Sequence, residues 1–299
     1  MKTNRLKGRS EQVFDWTMAG VPTVAFVVLY LLPCIAGFYF CFTDFGGYSL
    51  DFKMVGLHNF EKMFKDPIFY KSIWNYIILY IGTVVLCFPV AMGAAIVLTR
   101  NRAIKEKNFY RVLFFFPSTV PTMIIALMWM VMYNPTFGVL NQFLGLFGVE
   151  PIQWLGSSKV VMISVIVMVV WRQFGFYLVY FMAGVSNIDQ GIYESAKIDG
   201  ASEWKQVFTI TIPLCWEVVR TSLLFYIQSA ASIGFGIIYI ATRGGPDNAS
   251  QTLASYMYYQ ITENLDYGYG SVLGIALLIV TLLLAAFILA VTKRESYEL

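Results

Sequence analysis

Six long stretches of this 299-residue chain are almost free of charged side chains, and they limit its possible folds more than any other feature. A helix that crosses the ~30 Å hydrocarbon core of a bilayer needs about 20 apolar residues. The stretches are bounded by Asp15–Asp44, Lys71–Arg100, Arg111–Glu150, Lys159–Asp189, Arg220–Arg243 and Asp266–Lys293, and they enclose 28, 28, 38, 29, 22 and 26 residues. The fourth contains one charge, Arg172. The sequence therefore predicts an all-α integral membrane protein with six transmembrane helices.

The composition excludes an ordinary soluble enzyme and a disordered chain. Hydrophobic residues make up 58% of the chain and charged residues 13%, about half the charged share of a soluble domain. The net charge of +3 gives no indication of a nucleic-acid partner. The four cysteines form no CxxC pair and lie in or beside apolar stretches, so we expect neither a disulfide framework nor a zinc site. The first apolar run is too long for a cleaved signal and ends in aromatic residues, which favours a retained helix.

Two details refine the predicted topology. The third stretch is too long for one helix, and Asn134, Pro135 and Gly138 end its helical part near Tyr133, which leaves a non-helical or surface-lying tail. Placing the N-terminus inside gives the inner connections 13 Lys and Arg residues and the outer connections six. This bias predicts cytoplasmic N- and C-termini.

The predicted helices contain no group suited to ion coupling. Transporters driven by protons or sodium bury acids or histidines, whereas Arg172 is the only charge deep in a span and His58 lies in the first outer loop. No GxxxxGK[ST] loop is present to hold ATP. Uphill transport would therefore need energy from another subunit, and a passive channel stays open.

The segment from Ser186 to Pro213, between the fourth and fifth predicted helices, carries the most information. It predicts a short helix whose apolar stripe recurs at i, i+4, i+5 and i+8, formed by Ile188, Ile192, Tyr193 and Ala196. Gly200 should end this helix, Ser202 should cap a second one, and Pro213 should break the chain before helix 5. The second helix carries Trp204, Val207 and Phe208. A compact apolar face beside acidic residues suits either docking into a groove on a partner or lying on lipid headgroups.

This segment resembles the cytoplasmic loop of ABC importer permeases. The matching residues are Glu194-Ser195-Ala196, Gly200 after three more positions, and Ile210-Thr211-Ile212-Pro213 after nine more, with Ser195 and Ile212 departing from the family pattern. Other stretches resemble the maltose-type sugar branch of that family in one continuous order. They are Phe42-Thr43-Asp44, 55–60, 111–117, 137–141, Trp154-Leu155-Gly156, Gly244-Gly245-Pro246 and 267–270.

The resemblance implies a type I importer permease fold and a set of partners. These are a second, different permease chain, two ATPase subunits that hold ATP and Mg²⁺, and an extracytoplasmic solute-binding protein; no cofactor is implied for this chain. It also implies a division into 1–71 (basic tail, first helix and first outer loop), a permease core at 72–292 with the loop at 186–213, and a tail at 293–299. The residues implied to contact an ATPase are Glu194, Ser195, Ala196, Asp199 and Gly200.

The resemblance places the solute between helices 4 and 5. Arg172, Gln173 and Phe176 share one face of helix 4 with Val169, and a face of helix 5 carries Tyr226, Ser229, Ala230 and Ile233. Aromatic faces with a few polar groups suit a sugar, although packing is the alternative for each aromatic, and Arg172 can equally be structural. The Gly/Pro-rich outer loop from Thr242 to Asn248 either helps to meet the binding protein or to shape the periplasmic gate, or it is a plain turn.

These observations predict the pore subunit of an ATP-driven importer for a di- or oligosaccharide, in a bacterial plasma membrane and without catalysis in this chain. An importer of a phosphorylated polyol such as glycerol phosphate is the alternative within the family. A passive channel is the alternative outside it. A membrane enzyme lacks support, because no cluster of acids, histidines or cysteines points to a common site.

Overall fold

The computed structural model describes residues 9–49, 51–101 and 105–293. In this part of the chain the regular structure is helical, apart from an isolated antiparallel bridge between Thr43 and Met54. The predicted basic tail before residue 9, and the predicted C-terminal tail after Lys293, lie outside the described residues. The all-α prediction is confirmed.

The described helices follow one another along the chain with short connections. They are α1 Arg9–Phe26, α2 Leu32–Phe40, α3 His58–Lys65, α4 Pro67–Arg100, α5 Lys107–Thr119, α6 Thr122–Met132, α7 Val139–Gly145, α8 Val161–Ser186, α9 Gln190–Ile198, α10 Glu203–Gln206, α11 Ile212–Leu214, α12 Trp216–Ala241, α13 Leu253–Thr262 and α14 Tyr267–Val291. Turns of π-helix at Val27–Leu31 and Val207–Thr211 join α1 to α2 and α10 to α11.

Five helical runs are long and apolar enough to cross a membrane, and a bent pair supplies the sixth. The five are Phe14–Phe40, α4, α8, α12 and α14, and the pair is α5 with α6. Each coincides with one of the uncharged stretches, so the prediction of six spans is confirmed.

The third span differs from the predicted helix because it bends by 97° between α5 and α6. Val120 is extended there, with φ −76° and ψ 136°, since the ring of a following proline disfavours helical backbone, and Pro121 follows. The helical part ends at Met132, where the sequence placed it. The tail that follows contains the short helix α7, whose Asn141 accepts hydrogen bonds from the indole of Trp154 at 2.9 Å and from Ile152 N at 3.1 Å.

The chain separates into two compact units, residues 66–258 with 276–299 and residues 1–65 with 259–275. The predicted division lies near residue 71 and includes residues 259–275 in the permease core. In the structure, residues 259–275 group with residues 1–65 instead. In the larger unit, α4, α8 and α12 pack around buried aromatic rings. Tyr80 stacks on Tyr226 at 5.3 Å, and Phe88 lies 4.5 Å from Tyr177. Burying such rings provides most of the contact area of a helical core.

The smaller unit brings three of the family-like stretches together. The Asn59 amide donates to the carbonyl oxygens of Cys41 at 3.0 Å and Thr43 at 2.8 Å, and it is buried. The backbone N–H of Gly268 donates to Phe45 O at 3.2 Å. Lys62 on α3 pairs with Asp266 at 2.6 Å. These residues therefore hold the first outer loop in shape.

Candidate functional site

The loop between α8 and α12 begins with a well-capped helix, α9. The Asp189 carboxylate accepts a hydrogen bond from Gly191 N at 2.8 Å, which satisfies one of the free donors of the first turn. At the other end, Gly200 N–H donates to Lys197 O at 3.1 Å and Ala201 N–H donates to Ala196 O at 2.9 Å. This pair of bonds is the Schellman arrangement, which needs a left-handed residue, and Gly200 has φ +76°.

The second predicted helix is also present, with Ser202 as its cap. Its hydroxyl accepts from Lys205 N at 3.3 Å. The following break lies at Cys215 rather than at Pro213. Pro213 follows directly on the π-helical turn Val207–Thr211, and helical backbone continues through it to Leu214. π-helical turns inside helices are local adjustments of the hydrogen-bond pattern, and this one lies where the proline lacks an N–H.

The apolar stripe of α9 faces the protein itself and not a partner, which corrects the sequence interpretation. Ile188 and Tyr193 are buried, and Ile192 packs against the hydrophobic core. The apolar stripe of a surface helix faces the core, and here Arg100 of α4 and Thr211 after α9 contact Tyr193.

The surface of α9 that is left open carries most of the predicted docking residues. Glu194, Ser195, Asp199 and Gly200 are exposed, and Ala196 is half-buried. Large apolar side chains lie exposed nearby: Ile198 is 87% exposed, Trp204 76% and Phe208 63%. The sequence analysis had named Trp204 and Phe208 without a role and had not named Ile198.

Hydrogen bonds tie this loop to the end of α4. Arg100 Nη2 donates to Gln206 Oε1 at 2.6 Å, and the guanidinium lies 4.2 Å above the ring of Tyr193. The hydroxyls of Tyr193 and Thr211 are 3.0 Å apart. Burial raises the pKa of Tyr193, so its hydroxyl stays protonated and keeps this hydrogen bond. The loop between α8 and α12 is therefore also in contact with the end of α4.

The second candidate site lies at the middle of α8. Arg172 and Gln173 lie at the midpoint of α8, and Arg172 Nη1 donates to Gln173 Oε1 at 2.8 Å. Within the described ranges Arg172 forms no ion pair with a carboxylate. A charge in the middle of an apolar helix is costly unless it meets water or a partner. Arg172 is half-buried and its Nε has no hydrogen-bond partner among the described residues, which points to a wet cavity or a second chain.

The predicted solute residues divide between an open and a packed face. Phe176 is 40% exposed, and Arg172 and Ser229 are half-buried, whereas Gln173, Tyr226, Ala230 and Ile233 are buried inside the chain. The ring of Tyr226 is enclosed by Tyr80, Phe88 and Tyr177. In this conformation Tyr226, Ala230 and Ile233 pack inside the chain, and Gln173 accepts the hydrogen bond from Arg172.

The open face continues through residues that the sequence analysis did not name. Phe176 stacks on Tyr180 at 6.4 Å, and Tyr180 meets Phe225 of α12 edge to face at 6.2 Å. Gln228 and Ser232 are exposed near the midpoint of α12. The sequence could have indicated this face, because Gln228 and Ser232 are polar residues at i and i+4 in the middle of an apolar span, and such a pair indicates a face that avoids lipid.

The outer loop at 242–252 is held by hydrogen bonds to α4 and within itself. Lys71 Nζ donates to Asp247 O at 2.6 Å, and the Asn75 amide donates to Gln251 O at 2.8 Å, both from the first turns of α4. Thr242 and Ser250 close the loop with a 2.8 Å hydrogen bond between their hydroxyls. Its shape is therefore built into the protein surface at that end of α4.

Comparisons with known proteins agree with this architecture. The family described as "Binding-protein-dependent transport system inner membrane component" matches residues 90–296. The chain is 33% identical over 290 residues to the diacetylchitobiose uptake system permease protein NgcF of Streptomyces coelicolor, covering 94% of this chain and 82% of that protein. It is 29% identical over 282 residues to the trehalose/maltose transport system permease protein MalF of Thermococcus litoralis, covering 94% and 93%.

A solved structure has the same fold. A chain of the bacterial alginate ABC transporter, crystallised with an alginate pentasaccharide-bound periplasmic protein, superposes with a TM-score of 0.81 at 20% identity, covering 96% of this chain and 97% of that one. This likeness confirms the predicted type I importer permease fold. The family match covers most of the chain, and it agrees with the loop residues from which the resemblance was first drawn. The chain therefore belongs to the family of inner-membrane components of binding-protein-dependent transport systems, whose members are transport subunits and not enzymes.

Proposed function

We propose that this chain is one half of the pore of an ATP-driven importer for a di- or oligosaccharide in a bacterial plasma membrane. Its partners are a second, different permease chain, two ATPase subunits and an extracytoplasmic binding protein. The observation that carries the proposal is the exposed face of α9, an acidic surface on a capped helix whose Tyr193 ring packs under the Arg100 guanidinium of α4. Family membership and the sugars named for two relatives support the same assignment.

In this proposal the loop transmits motion. Glu194, Ser195 and Asp199 meet the ATPase, with Ala196 beneath them and Gly200 fixing the end of the helix. Ile198 adds an apolar contact at the centre of that surface. When the ATPases close, α9 moves with them. The cation–π contact of Tyr193 with Arg100 passes the displacement to α4, and the hydrogen bond of Tyr193 to Thr211 passes it to the π-helical segment. This is rigid-body gating about a central solute site.

The solute site in this proposal is the open face shared by α8 and α12. Phe176, Tyr180 and Phe225 offer ring faces to the C–H surface of a sugar, and Arg172, Gln228 and Ser232 offer hydrogen bonds to its hydroxyls. Ser229 lies at the edge of this face. Gln173 acts by holding the Arg172 guanidinium at 2.8 Å. Tyr226, Ala230 and Ile233 support the face from behind.

The assembly is tested by extracting the tagged chain gently from its native membrane and measuring the mass of the intact complex. We expect a second six-helix chain and two ATPase subunits, together with uptake of a labelled oligosaccharide by the reconstituted complex and its binding protein. Recovery of the chain alone, even after cross-linking through Lys197, would contradict the importer. An intact complex that takes up glycerol phosphate and no sugar would contradict only the choice of solute.

We expect Phe225→Ala to lower uptake of the sugar about fivefold at subsaturating concentration, because stacking on an aromatic ring contributes ~1 kcal/mol. Phe225 is 50% exposed, so truncation leaves no internal cavity. Phe287→Ala is the matched control, since that ring is also exposed, at 65%, but on α14. Equal uptake by the two variants would remove Phe225 from the solute site.

A further inference from the structure

A cavity of about 660 Å³ lies beside the last two turns of α4, where the segment after α9 crosses that helix. Gly93 and Val97 form one wall and Val207 part of another, so the interior is apolar. Arg100, Glu203 and Trp204 lie at its rim and provide a cation, a carboxylate and an indole. The transport proposal uses neither the apolar interior nor the carboxylate.

The length of α4 fixes the depth of this cavity in the membrane. The 28 uncharged residues between Lys71 and Arg100 span about 42 Å of helix, which matches a bilayer of ~40–45 Å including its headgroups. Arg100 therefore lies at headgroup level, and Gly93 lies about 10 Å deeper, among acyl chains. Val97, which is 54% exposed, lies between them.

The rim has two opposite charges that do not neutralise each other. Arg100 donates one hydrogen bond to Gln206, and a guanidinium has five N–H donors, so others remain for a second acceptor. Glu203 is exposed, and within the ranges that the structure describes it forms no ion pair. Trp204 is 76% exposed, and indole rings are favoured at the boundary between acyl chains and headgroups.

We propose that this cavity binds one molecule of phosphatidylethanolamine. Its phosphate accepts hydrogen bonds from Arg100, its primary ammonium pairs with Glu203, and one acyl chain lies along Gly93, Val97 and Val207. An anionic phospholipid would meet repulsion from Glu203. Phosphatidylcholine lacks the N–H donors that a carboxylate binds best. The proposal rests on the chain crossing a membrane and is independent of the transported solute.

The test uses the assembled importer in nanodiscs that contain a phospholipid with a photoreactive acyl chain. The headgroup is ethanolamine, choline or glycerol in three parallel samples, and the adducts are mapped by mass spectrometry. We expect labelling of the segment 93–97 and of Val207 to be about fivefold stronger with the ethanolamine lipid, since one interfacial ion pair near a membrane contributes about that factor. Glu203→Gln should reduce the ethanolamine signal to the choline level.

Gly93→Leu tests occupancy of the apolar interior without disturbing the fold. A Cβ atom at Gly93 meets no protein atom within 4 Å, so the leucine extends into the cavity and should abolish labelling by all three lipids. Gly37→Leu, at another helical glycine with open space around it, is the control and should label like the wild type. Equal labelling by the three headgroups, labelling unchanged in Gly93→Leu, or a protein partner cross-linked in the cavity would each overturn the proposal.

Discussion

Replacing Gly200 with valine is expected to lower solute uptake about 100-fold while leaving the chain in the membrane at its normal level. Gly200 has φ +76°, a backbone conformation that is strongly unfavourable for a β-branched residue. Nothing lies within 4 Å of a Cβ at this position, so the substitution causes no steric clash with the core. Its effect is confined to the backbone that ends α9.

The strain of this substitution is relieved most easily by unwinding the last turn of α9. The bonds from Gly200 N to Lys197 O and from Ala201 N to Ala196 O would then be lost, and Asp199 and Ile198 would leave the face that carries Glu194. When Glu194, Ile198 and Asp199 no longer lie on one face, we expect α9 to bind the ATPase poorly. ATP hydrolysis by the complex should continue, but without stimulation by the loaded binding protein.

Gly200→Asn separates this backbone effect from a need for glycine itself. Asparagine adopts left-handed backbone far more readily than valine, so we expect this variant to retain most of the uptake. The measurements are uptake in proteoliposomes, ATPase rate with and without binding protein, and the amount of chain in the membrane. Full uptake by Gly200→Val with normally coupled hydrolysis would show that the end of α9 does not contact the ATPase.

The sequence predicted the local structure of this loop well, because each part is set by its own residues. Ser202 caps α10 and Gly200 ends α9 as expected, since capping depends on neighbours in the chain. The direction of the apolar stripe was not predictable in the same way. Tyr193 is covered by Arg100, which lies about 90 positions earlier in the chain. A local sequence pattern cannot predict such a long-range contact.

The candidate solute site was predicted less fully for a related reason. Helical periodicity shows which residues share a face, but it does not show whether that face meets another helix or a cavity. Tyr226 and Ser229 fall on one face in sequence, yet Tyr226 stacks on Tyr80 while Ser229 is half-buried. In a membrane span, helix packing and sugar binding use the same aromatic residue types. Packing residues can therefore be told from sugar-binding residues only when the positions of the neighbouring helices are known.

The bend between α5 and α6 has a local cause in the sequence, but a count of uncharged residues does not predict it. Pro121 forces Val120 out of helical conformation, and α5 then packs closely against α8. The two helices approach closely at Gly175 of α8, where hydrogen is the only side chain that fits. Membrane helices use small residues for this purpose, because van der Waals packing and not the hydrophobic effect holds them together.

Gly175→Ala should therefore destabilise the protein by more than about 3 kcal/mol, although it adds a single methyl group. A Cβ atom there would lie 1.7 Å from Phe114 O and 2.7 Å from the Cα atom of Phe115. These are backbone atoms, so no rotamer change can relieve the overlap, and α5 must move away from α8. The expected result is a lower Tm of the purified complex and little chain in the membrane.

Gly93→Ala provides the matched comparison, because it makes the same chemical change in a membrane helix where the added methyl group meets open space. Alanine is favoured over glycine inside a helix by ~1 kcal/mol, so this variant should be as stable as the wild type or slightly more so. A Tm for Gly175→Ala equal to that of Gly93→Ala would mean that α5 and α8 are farther apart than the structure has them. A lower Tm for Gly175→Ala than for Gly93→Ala would show that the contact of α5 with α8 limits where the bent third span can lie. Gly175 is only two residues from Gln173, which accepts a hydrogen bond from Arg172, so this contact also lies next to the candidate solute site.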